Sequence, residues 1–209
     1  MKLENSGEES LPREDSEIIE GCLRGEEAAF RALLQKYRAR VFSIALRIVS
    51  NDEDATDIAQ ETFVRVFRSL SQFDRERSFQ NWLFRIAVNL SIDLIRKRKF
   101  AFFSLSGSKE DGAKDYDIED KSPTPDVSYE SKAGAERFEF LIESLPVKYK
   151  TLLVLRYKEE LSYQEMAEVM GIPMGTIKAR LHRGHRILRR KLETKKARTS
   201  TGFQARVVF

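Results

Sequence analysis

Cysteine is almost missing from this 209-residue chain, with Cys22 standing alone. A single thiol excludes an intrachain disulfide and a cysteine-rich zinc site, and it fits a reducing compartment. Proline occurs 5 times and glycine 10 times, so the chain is thinly punctuated. Alternating β-branched residues are scarce, which argues against a sheet. No apolar run approaches the ~20 residues of a membrane span. The opening Met1-Lys2-Leu3-Glu4-Asn5 lacks the basic-then-apolar pattern of a secretory signal. The expectation is a cytoplasmic protein with no membrane partner. The two histidines, His182 and His185, have no third ligand near them in sequence, so neither a metal nor another cofactor is expected. No internal repeat of about 20–50 residues is visible.

Hydrophobic residues make up 41% and charged residues 33%, a balance that supports folding. The length fits roughly one to two domains. Apolar residues recur at spacings of three and four, so the fold class is all-α. Helices are expected near Asp15–Arg24, Glu26–Val49, Asp54–Leu70 and Ser78–Lys99. The second carries Phe30, Leu33, Leu34, Tyr37, Val41, Ile44 and Ile48 on its apolar stripe. The third buries Ile58, Thr62, Val66 and Leu70, and the fourth Phe79, Leu83, Ile86, Leu90 and Leu94. Cys22 reads as a small buried residue.

The plan is two small helical domains, an N-terminal bundle and a C-terminal helix-turn-helix domain, joined by a flexible linker. Residues 1–14 read as a disordered acidic arm, 15–100 as the first domain, 101–130 as the linker, 131–196 as the second domain and 197–209 as a disordered tail. The linker stands out by charge, with 8 acids against 3 bases between Ser106 and Glu130.

The stretch Leu161–Leu192 is the most informative. Ser162 and Glu165 fit a capping box. A short helix Tyr163–Met170, with Met166, Ala167 and Met170 inward, meets a turn at Gly171. A second helix starts near Met174–Thr176 and runs to about Lys195, with Ile177, Leu181, Leu188 and Leu192 inward. Two helices joined by a glycine turn describe a helix-turn-helix. Lys178, Ala179, His182 and Arg183, flanked by Thr176 and Arg186, then share an outward face. Long donors beside small residues suit a major-groove reader. Gly171–Phe209 holds 11 basic residues and one acid, Glu193, a field that attracts phosphate.

The N-terminal half offers two further faces. Asp57, Gln60, Glu61, Val64, Arg65 and Arg68 form the outer side of the third helix, either an ordinary solvated face or a docking surface for a basic partner helix. Arg75–Lys99 holds 7 basic residues and two acids, with Phe73, Phe79, Trp82 and Phe84 interleaved. Aromatics in a positive groove are the physics of single-strand binding, although Phe79, and much of Trp82, also read as core.

Three segments carry a resemblance: Asp54–Phe67, Phe79–Asn89, and Leu161–Ala167 with Gly175–Leu181. In this order, with an acidic linker before the last, they resemble the extracytoplasmic-function group of the sigma-70 family of bacterial RNA polymerase sigma factors. The resemblance covers about residues 15–195. It implies a non-enzymatic factor that binds core RNA polymerase and directs it to promoters, in a stress or envelope response. Asp57, Gln60, Glu61, Val64 and Arg65 would dock on the clamp helices of the largest catalytic subunit. Phe73, Arg75, Arg77, Trp82, Arg85, Asn89 and Arg96 would handle the minus-ten element, duplex and melted strand. Trp82 and Asn89 would sit nearest the flipped base. The aromatic set is smaller than in primary sigma factors, which implies weaker melting and stricter promoters. Thr176, Lys178, Ala179, His182, Arg183 and Arg186 would read the minus-thirty-five element; His182 departs from an aromatic seen in some members. An anti-sigma factor is the expected regulator.

The linker agrees on reach. Elements about 17 base pairs apart lie roughly 58 Å apart, and a roughly 30-residue chain extends to about 100 Å. The alternative is a stand-alone helix-turn-helix regulator, which would bind duplex tightly without polymerase. A DNA-processing enzyme would need a nucleophile or clustered carboxylates, and no such cluster stands out.

Overall fold

The computed structural model describes residues 13–105 and 141–204, with side chains over 14–102 and 141–192. Seven α-helices are described: α1 (Arg13–Leu23), α2 (Glu27–Val49), α3 (Asp52–Ser69), α4 (Phe79–Leu105), α5 (Val147–Tyr157), α6 (Tyr163–Met170) and α7 (Met174–Gln204). A 3-10 turn, Leu70–Gln72, follows α3, and residues 141–143 are helical ahead of α5. No strand occurs among the described residues.

Local chemistry sets the boundaries. At the end of α2, Ser50 adopts the left-handed region at φ 56° and donates its N–H to the Leu46 carbonyl. Asn51 then caps α3, its side chain accepting from the Asp54 N–H at 2.9 Å. Such a cap contributes about 1 kcal/mol. Asp52, Glu53 and Asp54 fill the first turn, where the helix dipole favours negative charge. The capping box of α6 is complete: Ser162 Oγ accepts from Glu165 N at 3.2 Å, and Glu165 Oε2 accepts from Ser162 N at 2.7 Å. Gly171 ends α6 at φ 64°, a conformation that costs an L-residue, and its N–H donates to the Ala167 carbonyl.

The N-terminal bundle packs α2 against α3 and α4. Leu33, Tyr37, Val41, Ile44 and Ile48 of α2 meet Phe63 and Val66 of α3 and Phe79, Leu83 and Phe84 of α4. Asp15 pins α1 on α2, accepting from the Tyr37 hydroxyl at 2.7 Å and pairing with Lys36 at 2.9 Å. Burial, and then the Asp15 carboxylate, push the Tyr37 phenol far above its ordinary value. Cys22 is buried, and desolvation raises its thiol. In the C-terminal unit Leu152, Leu153 and Leu155 of α5 pack with Met166, Ile177, Leu181 and Leu188. Gly184 of α7 faces Tyr149 and Leu153 of α5.

The two units pack on each other, α5 against α2 and α6 against α4, and one apolar cluster runs through both. This accounts for several departures from the sequence pattern. On α4 the burial is wider than the expected stripe: Phe84, Val88 and Ser91 are enclosed, while Ile86, Leu90 and Leu94 are half-buried. Val169 of α6 is fully buried, and Leu192, expected inward, is 37% exposed. Helices also overrun their expected ends. α1 begins at Arg13, within the expected arm, and α4 continues to Leu105, into the expected linker. α7 continues to Gln204, into the expected tail. The remaining arm (1–12), the linker from 106 and the tail from 205 lie outside the described residues.

Candidate nucleic-acid and protein-docking interfaces

Three surfaces emerge among the described residues. The first is the outer stripe of α3. Asp57, Gln60, Val64 and Arg65 are exposed and Glu61 is half-buried, all within reach of one another at spacings of three and four. Ala55, Ala59, Thr62, Phe63 and Val66 point into the core, and the buried Thr62 hydroxyl donates to the Ile58 carbonyl at 2.7 Å. Val64 is 39% exposed, an apolar residue among charges. Glu61 accepts from Arg65 Nε at 2.8 Å, an exposed i, i+4 pair of the kind that contributes about 0.3–0.5 kcal/mol. Alongside lies an open groove of about 830 Å³ between α2 and α3, with Leu34, Phe42, Ala59 and Phe63 among its walls and Arg38 and Gln60 also lining it. Sequence reasoning missed its α2 wall. The available signal was a stripe too wide for one partner, since Leu34 and Phe42 stay half-buried.

The second surface lies between α3 and α4. A pocket of about 480 Å³ brings Trp82, Ile86 and Asn89 of α4 together with Arg65 and Arg68 of α3, and with Ser69 and Gln72 beyond. An indole face, an amide and two guanidiniums converge on one cavity, which suits a planar group tethered to phosphate. Phe73 supports the pocket from behind. It is 8% exposed, and its ring lies 5.0 Å from Trp82 and 5.5 Å, edge on, from Phe79. Phe73, expected at the minus-ten element, thus lies mostly within the core, its ring packed against Trp82 and Phe79. Arg65, Arg68 and Gln72 are pocket residues that sequence reasoning did not place there; Arg65 was assigned to the α3 stripe alone, and it also lines the pocket.

The remaining residues of the basic segment are dispersed. Arg75 pairs with Glu20 of α1 at 3.2 Å, Arg77 with Asp74 at 3.1 Å and Arg96 with Asp93 at 3.1 Å, all exposed. Asp54 takes both forks of Arg98, joining the start of α3 to the far part of α4. Arg85 is exposed, with its guanidinium beside Gly171.

The third surface is the first half of α7. Lys178, Ala179, His182, Arg183 and Arg186 are exposed and Thr176 is half-buried, on the side opposite Ile177, Leu181 and Leu188. None of Lys178, Arg183 and Arg186 makes an ion pair among the described residues, so their charge is available to an anionic partner. His185 faces elsewhere, its Nε2 2.8 Å from the Tyr157 hydroxyl of α5. No group of three metal-ligating side chains occurs among the described residues, and no described helix is long and apolar enough to cross a membrane.

The comparisons agree with this geometry. Residues 33–101 match Sigma-70 region 2, and residues 135–188 match Sigma-70, region 4. The chain is 36% identical over 178 residues to the ECF RNA polymerase sigma factor SigW of Bacillus subtilis, covering 83% of this chain and 94% of that protein. Its fold is similar to that of a chain in the complex of CnrH with the cytosolic domain of CnrY, with TM-score 0.62, 23% identity, and coverage of 86% of this chain and 97% of that one. It is also similar to a chain in the complex of the sigma factor RpoE with the anti-sigma factor NepR from Bartonella quintana. There the TM-score is 0.59, the identity 21%, and the coverage 78% of this chain and 96% of that one. The chain belongs to the extracytoplasmic-function (ECF) group of the sigma-70 family: it is an RNA polymerase sigma factor that directs transcription initiation, and not an enzyme.

Proposed function

We propose that the three surfaces divide the work of initiation. Asp57, Gln60, Glu61, Val64 and Arg65 of α3 dock on the clamp helices of the polymerase's largest catalytic subunit. The acids suit arginines on that partner, and Val64 gives the contact an apolar centre. The pocket around Trp82 and Asn89 receives a base of the melted minus-ten strand. Unstacking that base costs a few kcal/mol, offset by stacking on the indole and hydrogen bonds from the amide. Arg75, Arg77, Arg85 and Arg96 hold phosphates on either side. Thr176, Lys178, Ala179, His182, Arg183 and Arg186 of α7 enter the major groove of the minus-thirty-five element.

The observation that carries this reading is the convergence of Trp82, Asn89, Arg65 and Arg68 on a single pocket between the docking helix and α4. A base captured there is held next to the polymerase contact, so melting and docking become coupled. On this reading residues 15–100 bind polymerase and the minus-ten element, and residues 131–196 bind the minus-thirty-five element. The protein works in the cytoplasm, in a stress or envelope response, and an anti-sigma factor holds it in reserve. The partner named for the structurally similar RpoE supports that last assignment.

The test is reconstitution with bacterial core RNA polymerase and sequencing of run-off transcripts from a genomic template. Defined start sites sharing two spaced motifs are the expected result. Failure to form a complex, with tight duplex binding by the protein alone, would move the assignment to a stand-alone regulator.

A further inference from the structure

The far part of α4 leaves the bundle. Ile95 is half-buried, and every residue from Arg96 to Phe102 is exposed. Phe100 is 77% exposed and Phe102 70%. A phenyl ring in water forgoes the burial that a partner would supply. Both rings stand beside a run of cations. Arg96, Lys97, Arg98 and Lys99 are consecutive, and no acid lies between Asp93 and Glu110. Lys97 and Lys99 make no ion pair among the described residues. Arg98 does, and its fork on Asp54 ties this tip to the start of α3 and fixes its direction.

Helical periodicity links the tip to the pocket. Phe100 follows Trp82 by 18 residues. That is five full turns, so the two residues share one line along α4, about 27 Å apart. Asn89 and Arg96 lie within about 40° of the same line. Asp93 lies there too, its charge engaged by Arg96 at 3.1 Å. The stripe is thus aromatic at both ends and polar between them, with Lys97 and Lys99 to either side of Phe100. Stacking platforms set along a positive track describe a single-strand groove. A protein surface is the poorer fit. The face proposed for polymerase carries Asp57 and Glu61, whereas this tip has the opposite sign.

We infer that Phe100, with Lys97 and Lys99, is a second stacking site for the melted promoter strand. The strand leaves the Trp82 pocket along α4, and a base further on stacks on the Phe100 ring. The two ammonium groups neutralise the phosphates beside it. The inference rests on the base capture proposed above and extends it. A chain with one indole in its pocket thereby gains a second hold on the open strand.

The experiment uses holoenzyme reconstituted from core polymerase and the full chain, with fluorescein-labelled single strands read by anisotropy. A short strand carries the captured base and its nearest neighbours. A long strand extends well beyond them in both directions. Phe100→Ala should weaken binding of the long strand by about 5- to 160-fold and leave the short strand unchanged. Phe100→Trp should keep the affinity, and Phe100→Leu should not, because leucine has apolar bulk without a ring face. Lys97→Gln with Lys99→Gln should lower the slope of log affinity against log salt for the long strand by about 1.4. The photoreactive p-benzoylphenylalanine in place of Phe100 should crosslink to the long strand. A crosslink to a polymerase subunit instead, or full affinity of Phe100→Ala for the long strand, would overturn the inference. So would an equal loss on both strands, which marks a structural residue. Trp82→Ala without effect on the short strand would count against base capture instead, and the Phe100 comparison on the long strand is read regardless.

Discussion

Arg183→Ala isolates the reading of the minus-thirty-five element. Arg183 is exposed on α7 and makes no ion pair among the described residues, so truncating it leaves the core intact and should change stability by less than about 0.5 kcal/mol. In the major groove a guanidinium that forks onto guanine gives about 1–3 kcal/mol of discrimination. At 25 °C that is about a 5- to 160-fold loss of transcription from a promoter limited by this element. The α3 stripe belongs to the other unit, so polymerase should bind the variant as before. The assay is single-round transcription by reconstituted holoenzyme on four combinations, wild-type and variant factor with wild-type and substituted upstream element. If Arg183 reads a base, its loss should cost little once that base pair is already changed. Equal transcription by the unsubstituted factor from wild-type and substituted upstream elements would refute the assignment outright. Equal losses on both templates would reassign Arg183 to a phosphate contact.

Other outcomes follow from the same geometry. Asp57→Lys with Glu61→Lys should abolish co-purification with core polymerase while moving the melting temperature by only a degree or two, because the Glu61 carboxylate contributes to the fold through a weak, exposed ion pair with Arg65; normal co-purification would remove the docking face. Trp82→Ala should impair opening of duplex promoters far more than initiation from a template already unpaired at the minus-ten element, and equal defects on both templates would count against base capture. Gly171→Ala forces a side chain onto φ 64° and should destabilise by about 1–2 kcal/mol, whereas Gly175→Ala, with open space around it, should be neutral or slightly stabilising in denaturant titration. Tyr37 is one of 6 tyrosines, and with its folded pKa raised by burial and Asp15 it adds stability that is full below the ordinary tyrosine value near 10 and lost above it. Ultraviolet titration should therefore show the Tyr37 phenol, identified by its loss in Tyr37→Phe, resisting ionisation until alkaline unfolding.

Much of this was legible in the sequence. The stripes of α2 and α3 and the Ser162–Glu165 box are local features, and three- and four-residue spacing reports them directly. The outward residues of α7 followed once Ile177, Leu181 and Leu188 were placed inward. What escaped the sequence depended on packing between distant segments. Glu159, Glu168, Lys150 and Asn81 carry no apolar signal, yet they lie between the units because α5 packs on α2 and α6 on α4. The same packing buries Phe84, Val88 and Val169 beyond what an isolated amphipathic helix requires. Phe73 was assigned to the minus-ten element, and its packing against the rings of Phe79 and Trp82 depends on a fold that composition does not show.

The apolar cluster that runs from Ile19 to Leu188 makes the described residues one cooperative folding body. Elements that share a core melt together, so the free factor should unfold in a single heat-absorption peak, and slow amide exchange in α2 should track that in α5.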